Sequence, residues 1–143
     1  MNYTVIIPFY NEFNNVEPLN EALLNNLKKV ENGSRKFEII YVDDGSTDKT
    51  FEVLKKLKNN PVETFIIKHR NNLSQSAALN TGIANSKYEN LIILDGDLQN
   101  DPDDLEKMIT TYEKGTDMLI GWRKKRKDNF ISKSLPSIIA NFI

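Results

Sequence analysis

Apolar runs of strand length alternate with helical patterns along the chain, and this alternation restricts the fold more than any other feature. The strand-like runs cover residues 4–7, 37–42, 62–67, 91–94 and 117–120. Apolar side chains at helical spacing separate these runs, first at Val16, Leu19, Leu23, Leu27 and Val30. Such a βαβα order predicts an α/β fold, in which a mostly parallel sheet carries helices on both faces.

Composition limits the chemistry that this fold can carry. The chain has 143 residues, enough for one domain with a buried core, and it has no cysteine and only one histidine, His69. Thiolate and multi-histidine metal sites are therefore excluded, and oxygen atoms remain as metal ligands. No apolar run approaches the roughly 18 residues that span a bilayer, and the N-terminus lacks a signal-peptide layout, which predicts a cytoplasmic location.

The fourth apolar run leads directly into Asp95, Gly96 and Asp97. A short continuous apolar run predicts a strand that is buried on both faces. Asp95, Asp97 and Gln99 share one parity at the carboxyl end of this strand, where ligands bind in open α/β sheets. Their oxygens suit Mg²⁺ or Mn²⁺, and the ion would serve a diphosphate. A plain polar turn is the simpler interpretation of this segment alone.

Two further strands also end in polar segments. The first strand runs into Pro-Phe-Tyr-Asn-Glu, and Pro8 is expected to end its hydrogen-bonded pairing. The second runs into Asp43 and Asp44, whose charges repel unless a ribose diol, a base imide or a cation accepts them. A helix N-cap at Ser46 or Thr47 is also expected. Capping does not explain both carboxylates.

No glycine-rich phosphate loop follows any of these strands. The sequence has neither Gly-x-Gly-x-x-Gly nor Gly-x-x-x-x-Gly-Lys-Ser/Thr at a strand–helix junction. A dinucleotide oxidoreductase and a P-loop NTPase are therefore disfavoured. Three polar strand ends at one sheet edge favour a nucleotide whose diphosphate is held by a metal.

The three segments resemble, in order and spacing, the motifs of family-2 glycosyltransferases, which have the GT-A fold. They occupy residues 5–12, 42–48 and 94–99. Segments 72–78, 97–102 and 121–128 are similar to the polyprenyl-phosphate branch, which includes the dolichol-phosphate mannose synthases. Ser74 departs from the glycine that is usual in that branch. The resemblance covers nearly the whole chain and implies a Rossmann-like GT-A fold.

The resemblance also implies roles for individual residues. Those implied to bind the nucleotide are Pro8, Tyr10, Asn11, Glu12, Asp43, Asp44 and Asp95. Asp97 and Gln99 are implied to bind Mg²⁺ or Mn²⁺. Arg123 and Arg126 are implied to face the acceptor phosphate. The implied catalytic residues are Asp95, Asp97 and Arg123.

The implied reaction is metal-dependent, inverting transfer of a sugar from a nucleotide-diphosphate sugar, with UDP favoured over GDP, to a polyprenyl phosphate. A phosphate acceptor is already anionic at neutral pH, so it needs no general base. Three alternatives stay open: a nucleotidyltransferase, a nucleotide-sugar-binding fragment without activity, and transfer to a sugar hydroxyl in cell-wall or polysaccharide synthesis. Nucleic acid is not an expected partner, and a homo-oligomer is possible.

A change of pattern after residue 121 predicts a boundary. Residues 1–121 are expected to form the nucleotide-sugar-binding GT-A domain, and 122–143 the basic, amphipathic start of an acceptor and membrane-proximal region. Six Lys/Arg and one Asp between residues 122 and 133 give this segment a net charge of +5. The rest of the chain therefore has a net charge of −6, since the whole chain has −1. This cluster is expected to attract an anionic membrane surface, or else to be a solvated loop or a nonspecific nucleic-acid contact. The following apolar pattern stops without a cap, which suggests a truncated chain at the cytoplasmic face.

Overall fold

The architecture is a parallel sheet flanked by helices. The structure, a computed structural model, describes residues 1–31, 33–97 and 104–120. Its strands are β1 (Asn2–Phe9), β2 (Lys36–Asp43), β3 (Glu63–Lys68) and β4 (Asn90–Ile93). Its helices are α1 (Phe13–Val30), α2 (Thr50–Lys56), α3 (Gln75–Ala84) and α4 (Leu105–Tyr112), with a single 3-10 turn at Leu57–Asn59. The strands are all parallel, in the order β3-β2-β1-β4.

Helices cover both faces of this sheet, which confirms the predicted α/β fold. On one face, alternate residues of β1 and β2 pack with α1, α2 and α4 into the main core. The predicted stripe of α1, from Val16 to Val30, is buried there. On the other face, Ile40 and Val42 pack against Ala78 of α3. The central strands β1 and β2 are therefore buried on both sides.

Strand β4 differs from its predicted burial. Leu91 is 36% exposed and Ile93 is 47% exposed, so the prediction that this run is buried on both faces was wrong. Within the described residues β4 pairs only with β1, and α3 covers β1 and β2 on that face. An apolar strand at the edge of a sheet therefore keeps one face open.

The strand predicted at 117–120 is not formed, because these residues make no ladder with any strand of the described chain. Met118 is 75% exposed and Ile120 is 77% exposed. Apolar residues form a strand only where a neighbouring strand and a core face accept them, and the described part of the chain supplies neither to this segment. Asp101, followed by Pro102, is typical of a helix N-cap before α4, and it lies outside the described residues. Glycine is typical of the end of a helix, and Gly115 has φ +102° shortly after α4.

A cluster of polar side chains joins three elements at the amino-end edge of the sheet. Glu113, just after α4, accepts hydrogen bonds from the Tyr3 hydroxyl at 2.8 Å and from Arg35 Nε at 2.9 Å. A second Arg35 nitrogen pairs with the other carboxylate oxygen of Glu113. The same guanidinium donates to the carbonyl of Val30 at 3.1 Å. This cluster ties α4 to β1 and to the segment between α1 and β2.

Candidate active site

A cleft of about 380 Å³ opens at the carboxyl ends of the strands. The residues that line it come from the ends of β1, β2 and β4 and from the start of α3: Pro8, Phe9, Tyr10, Glu12, Asp44, Asn72, Ser74, Gln75, Asp95, Gly96 and Asp97. Parallel strands end at one edge of the sheet, so polar segments far apart in sequence meet there.

Pro8 lies inside β1 and does not end it. The strand continues to Phe9, which pairs with Asp43, so the expectation that pairing stops at the proline was wrong. Ile6, two residues earlier, directs its carbonyl towards the β4 side, where it accepts from Leu94 N at 3.1 Å. The backbone nitrogen of Pro8 faces the same side. No residue of β4 pairs with it there, because the β1–β4 pairing ends at Ile6 and Ile93. A missing N–H is harmless at such a position.

The two carboxylates after β4 both line the cleft, but they lie beyond the end of the strand, and Asp97 is in a turn. A Cβ at Gly96, between them, would lie 2.7 Å from the Pro8 carbonyl oxygen and 2.8 Å from Phe9 Cδ1. Only glycine allows this turn to approach β1 so closely. The Gln75 amide donates to Asp95 Oδ1 at 3.0 Å, which links the turn to α3.

The side chains of Asp43 and Asp44 lie in different surroundings, and this reduces the repulsion between them. Asp43 is fully buried and does not line the cleft; its Oδ1 accepts from Ser46 N at 3.3 Å. Its Oδ2 is buried and has no hydrogen-bond partner among the described residues. Asp44 lines the cleft, and its carboxylate accepts from the backbone N–H groups of Leu73 at 3.0 Å and Ser74 at 2.9 Å.

Asp44 is held in its ionised form. Burial acts to raise its pKa, but hydrogen bonds from Leu73 N, from His69 and from Ser74 N outweigh burial and leave the pKa below the ordinary aspartate value. A Cβ at Gly45 would lie 2.3 Å from the Asn71 carbonyl carbon. The glycine after Asp44 therefore allows this loop to close over the carboxylate.

Tyr10 and Glu12 line the cleft, as expected, and the Tyr10 side chain is 44% exposed. Asn11 does not line it and instead braces two loops. Asn11 N donates to Ser46 Oγ at 3.0 Å, and Asn11 Oδ1 accepts from Thr47 N at 2.8 Å. The nucleotide-binding role implied for Asn11 and for Asp43 stays a prediction.

The expected N-cap at Ser46 or Thr47 was wrong, because both residues contact Asn11 instead. Asp48 accepts from Thr50 N at 2.8 Å at the start of α2. Burial acts to raise the pKa of Asp48, but its hydrogen bonds from Thr50 and neighbouring backbone groups lower it overall. The helix therefore begins later in the chain than its sequence pattern indicated.

Several predicted site residues lie outside the described part of the chain. They are Gln99, Arg123 and Arg126, so their metal-binding and phosphate-binding roles stay predictions. The described residues contain no group of three or more His, Cys, Asp and Glu side chains that could hold a metal. No helix among them is both long and apolar enough to cross a membrane.

The sequence pattern gave no sign of a functional role for His69. Its Nδ1 lies 2.7 Å from Asp44 Oδ1, and its Nε2 lies 2.8 Å from Thr81 Oγ1. The available signal was position: His69 follows β3, and all parallel strands end at the edge that carries the cleft. The strain at Ser74, with φ +119°, was likewise visible only as a departure from the glycine of the family.

The parallel sheet and the cleft at the carboxyl ends of its strands are those of the GT-A fold class. The family model described as glycosyl transferase family 2 matches residues 4–142. The chain therefore belongs to glycosyl transferase family 2.

The chain is similar in sequence to curated enzymes whose names contain a polyprenyl phosphate. A dodecaprenyl-phosphate galacturonate synthase of Rhizobium johnstonii is 34% identical over 145 residues, covering 100% of this chain and 42% of the relative. An undecaprenyl-phosphate 4-deoxy-4-formamido-L-arabinose transferase of Photorhabdus laumondii is 34% identical over 137 residues, covering 95% and 41%. The chain spans about two fifths of the length of these relatives.

Among solved structures, a mannosyltransferase of Pyrobaculum calidifontis in complex with GDP-Man and Mn²⁺ is similar, with a TM-score of 0.60 and 26% identity. The likeness covers 75% of this chain and 31% of the mannosyltransferase. It agrees with the GT-A fold that the sequence motifs implied.

Proposed function

We propose that this chain is the nucleotide-sugar-binding part of an inverting glycosyltransferase that transfers a sugar from a nucleotide-diphosphate sugar to a polyprenyl phosphate. The observation that carries the proposal is the meeting of Tyr10, Asp44, Asp95 and Asp97 in one cleft at the carboxyl ends of the strands. The relatives named for dodecaprenyl and undecaprenyl phosphate support the acceptor class.

In this proposal the nucleoside lies at the β1–β2 end of the cleft. The exposed ring of Tyr10 offers an aromatic face against which a base can stack. The ionised Asp44 accepts a hydrogen bond from the base, and charge-assisted bonds of this kind are among the stronger ones. Pro8 and Glu12 complete the walls of this half of the cleft.

The diphosphate and a divalent cation lie at the β4 end. Mg²⁺ and Mn²⁺ prefer oxygen ligands, and Mg²⁺ is commonly held by one or two carboxylates together with substrate phosphates and water. The carboxylates of Asp95 and Asp97 fit this pattern, and Gln99 would add an amide oxygen. When bound, the ion supplies charge neutralisation on the nucleoside diphosphate as it leaves. The Mn²⁺ of the Pyrobaculum mannosyltransferase supports this assignment.

The acceptor is proposed to approach from the side of residues 122–143. Arg123 and Arg126 would attract its phosphate, and the basic cluster would hold the enzyme at the anionic cytoplasmic face of a membrane. The acceptor phosphate is itself the nucleophile, so the cleft needs no general base. Attack opposite to the leaving group inverts the sugar carbon. Gln75 fixes Asp95 beside the sugar.

Calorimetry with Mn²⁺, alone and with UDP, tests this function. We expect weak Mn²⁺ binding to the parent chain and much tighter binding with UDP, because the diphosphate completes the ion's ligands. Asp97→Ala should abolish the increase in Mn²⁺ affinity that UDP produces. Asp117→Ala, at an exposed acid outside the cleft lining, is the matched control and should behave like the parent. Equal Mn²⁺ affinity of Asp97→Ala and the parent, with UDP present, would remove Asp97 from the metal site.

An assay of sugar release and transfer separates transfer from binding alone. Retention of UDP binding without any transfer to a polyprenyl phosphate or to water would favour the second candidate, a nucleotide-sugar-binding part without activity of its own.

A further inference from the structure

A largely buried histidine lies next to the cleft, and the proposed reaction gives it no role. His69 is the single histidine of the chain, its side chain is 10% exposed, and it does not line the cleft. We infer that His69 positions Asp44 and restricts the nucleotide subsite to a base with one imide donor, as in uracil. This inference rests on the proposed function and assigns a specificity to its nucleotide subsite.

The two ring nitrogens of His69 connect the cleft to a helix. An ionised carboxylate only accepts hydrogen bonds, so Nδ1 donates its proton to Asp44 Oδ1 across 2.7 Å. Nε2 forms a second hydrogen bond, with the Thr81 hydroxyl, across 2.8 Å. Thr81 lies in α3, which packs against β1 and β2. The imidazole therefore links Asp44 to a rigid part of the fold.

The protein already occupies most of the acceptor positions of Asp44. Each carboxylate oxygen can accept about two hydrogen bonds. Oδ1 accepts two, from His69 Nδ1 and from Leu73 N at 3.0 Å, and Oδ2 accepts one from Ser74 N at 2.9 Å. One acceptor position therefore remains, on Oδ2, and Asp44 presents it where it lines the cleft.

That single position distinguishes between bases. Uracil presents one imide N–H, which one acceptor satisfies. Guanine presents its N1–H and its amino N–H side by side, and a carboxylate can accept both only with a free position on each oxygen. Because His69 and Leu73 fill Oδ1, guanine would leave one donor without a partner, and buried unpaired donors are costly. His69 thus acts against GDP-sugars by occupying Oδ1.

Calorimetric dissociation constants for UDP and GDP, each with Mn²⁺, test this inference. The parent should bind UDP about tenfold or more tightly than GDP, the scale of one hydrogen bond. His69→Ala should weaken UDP binding by about tenfold and bring the UDP/GDP ratio towards one. His69→Asn, whose amide nitrogen can replace Nδ1, should restore most of the ratio.

Two threonine variants complete the experiment. Thr81→Val breaks only the helix link and should reduce the ratio in the same direction. Thr111→Val, at an exposed hydroxyl on α4 that donates to the Lys107 carbonyl, is the matched control and should leave both constants unchanged. If His69→Ala does not fold, Thr81→Val and His69→Asn still measure the two links.

The outcomes separate the inference from the proposed function. The inference is overturned if the parent binds UDP and both His69→Ala and Thr81→Val keep the parent's UDP/GDP ratio. The proposed function then still stands. A parent that binds GDP as tightly as UDP also overturns the inference alone. A general loss of stability would weaken both nucleotides equally, so an unchanged ratio identifies a merely structural role. Binding of neither nucleotide to the parent overturns both.

Discussion

At the scale of single residues, the cleft is organised by backbone positions that few side chains tolerate. Gly45 and Gly96 let two loops approach their neighbours, and Ser74 occupies a conformation that normally belongs to glycine. Ser74 has φ +119° and ψ 157° at the N-cap of α3. In this position its N–H reaches Asp44 and its Oγ accepts from Ala77 N at 3.3 Å. The strain is therefore coupled to the placement of Asp44.

Ser74→Gly should stabilise the chain. This backbone region costs a residue with a side chain about 1–3 kcal/mol. Glycine removes that cost, while loss of a serine N-cap to glycine costs only a few tenths of a kcal/mol, roughly. Glycine also raises the conformational entropy of the unfolded chain, which offsets part of this gain. We therefore expect a net increase of about 1 kcal/mol in the free energy of unfolding. Urea unfolding measures it.

The matched control for this change is Ser76→Gly, in the first turn of the same helix and also exposed. There glycine should destabilise by roughly 0.5–1 kcal/mol, because the backbone is already helical and gains no relief. A Ser74→Gly protein that loses as much stability as the control would show that Ser74 carries no backbone strain.

At the scale of elements, α4 is tied to the sheet by a charged cluster far from the cleft. The hydrogen bond from Arg35 is the largest effect on Glu113; burial opposes it, and the Tyr3 hydroxyl adds to it, so the pKa of Glu113 falls to about 2. Burial and the nearby Glu113 also raise the pKa of Tyr3. A carboxyl whose pKa is depressed in the fold stabilises the fold above its unfolded pKa, and this contribution is lost as the pH falls.

We expect the contribution of Glu113 to be complete above about pH 4.5 and to disappear towards pH 2. Since the Glu113 side chain is 24% exposed, solvent screening reduces the effect to about 2 kcal/mol. Unfolding by urea at pH 7 and pH 3 should show a steeper loss in the parent than in Glu113→Gln. The exposed Glu89→Gln serves as the control and should follow the parent. A parent and a Glu113→Gln variant with parallel pH dependence would contradict the assignment.

At the scale of the whole molecule, acidic and basic side chains are concentrated in different parts of the chain. The described residues form the acidic cleft, whereas residues 122–133 carry six Lys/Arg and one Asp. An acidic cleft suits a cation and a diphosphate, and a basic segment suits a lipid phosphate at an anionic surface. The protein is therefore expected to meet its donor and its acceptor through different regions.

Anionic vesicles should bind this chain at low salt, and high salt should weaken the binding because exposed charges are screened. Replacing Lys124, Lys125 and Lys127 with Gln should reduce binding by roughly 100-fold, at about 1 kcal/mol per basic residue. Replacing Lys28, Lys29 and Lys36 with Gln changes the net charge equally and should have little effect. Co-sedimentation with anionic and neutral vesicles measures this. Binding of the parent to neither kind would leave the basic cluster as a solvated loop.

The sequence by itself determined the fold class and the main members of the cleft, because both depend on local patterns. Alternating strand and helix periodicities require a parallel sheet, and parallel strands bring Asp44, Asp95 and Asp97 to one edge. Tertiary structure alone decided what no local pattern encodes. Among the described residues, it made β4 an edge strand, left 117–120 without a partner strand, turned Asp43 away from the cleft, and placed His69 between Asp44 and Thr81. The physical reason is that pairing, burial and side-chain hydrogen bonds join residues distant in sequence, and their cost or gain depends on which neighbours the complete fold supplies.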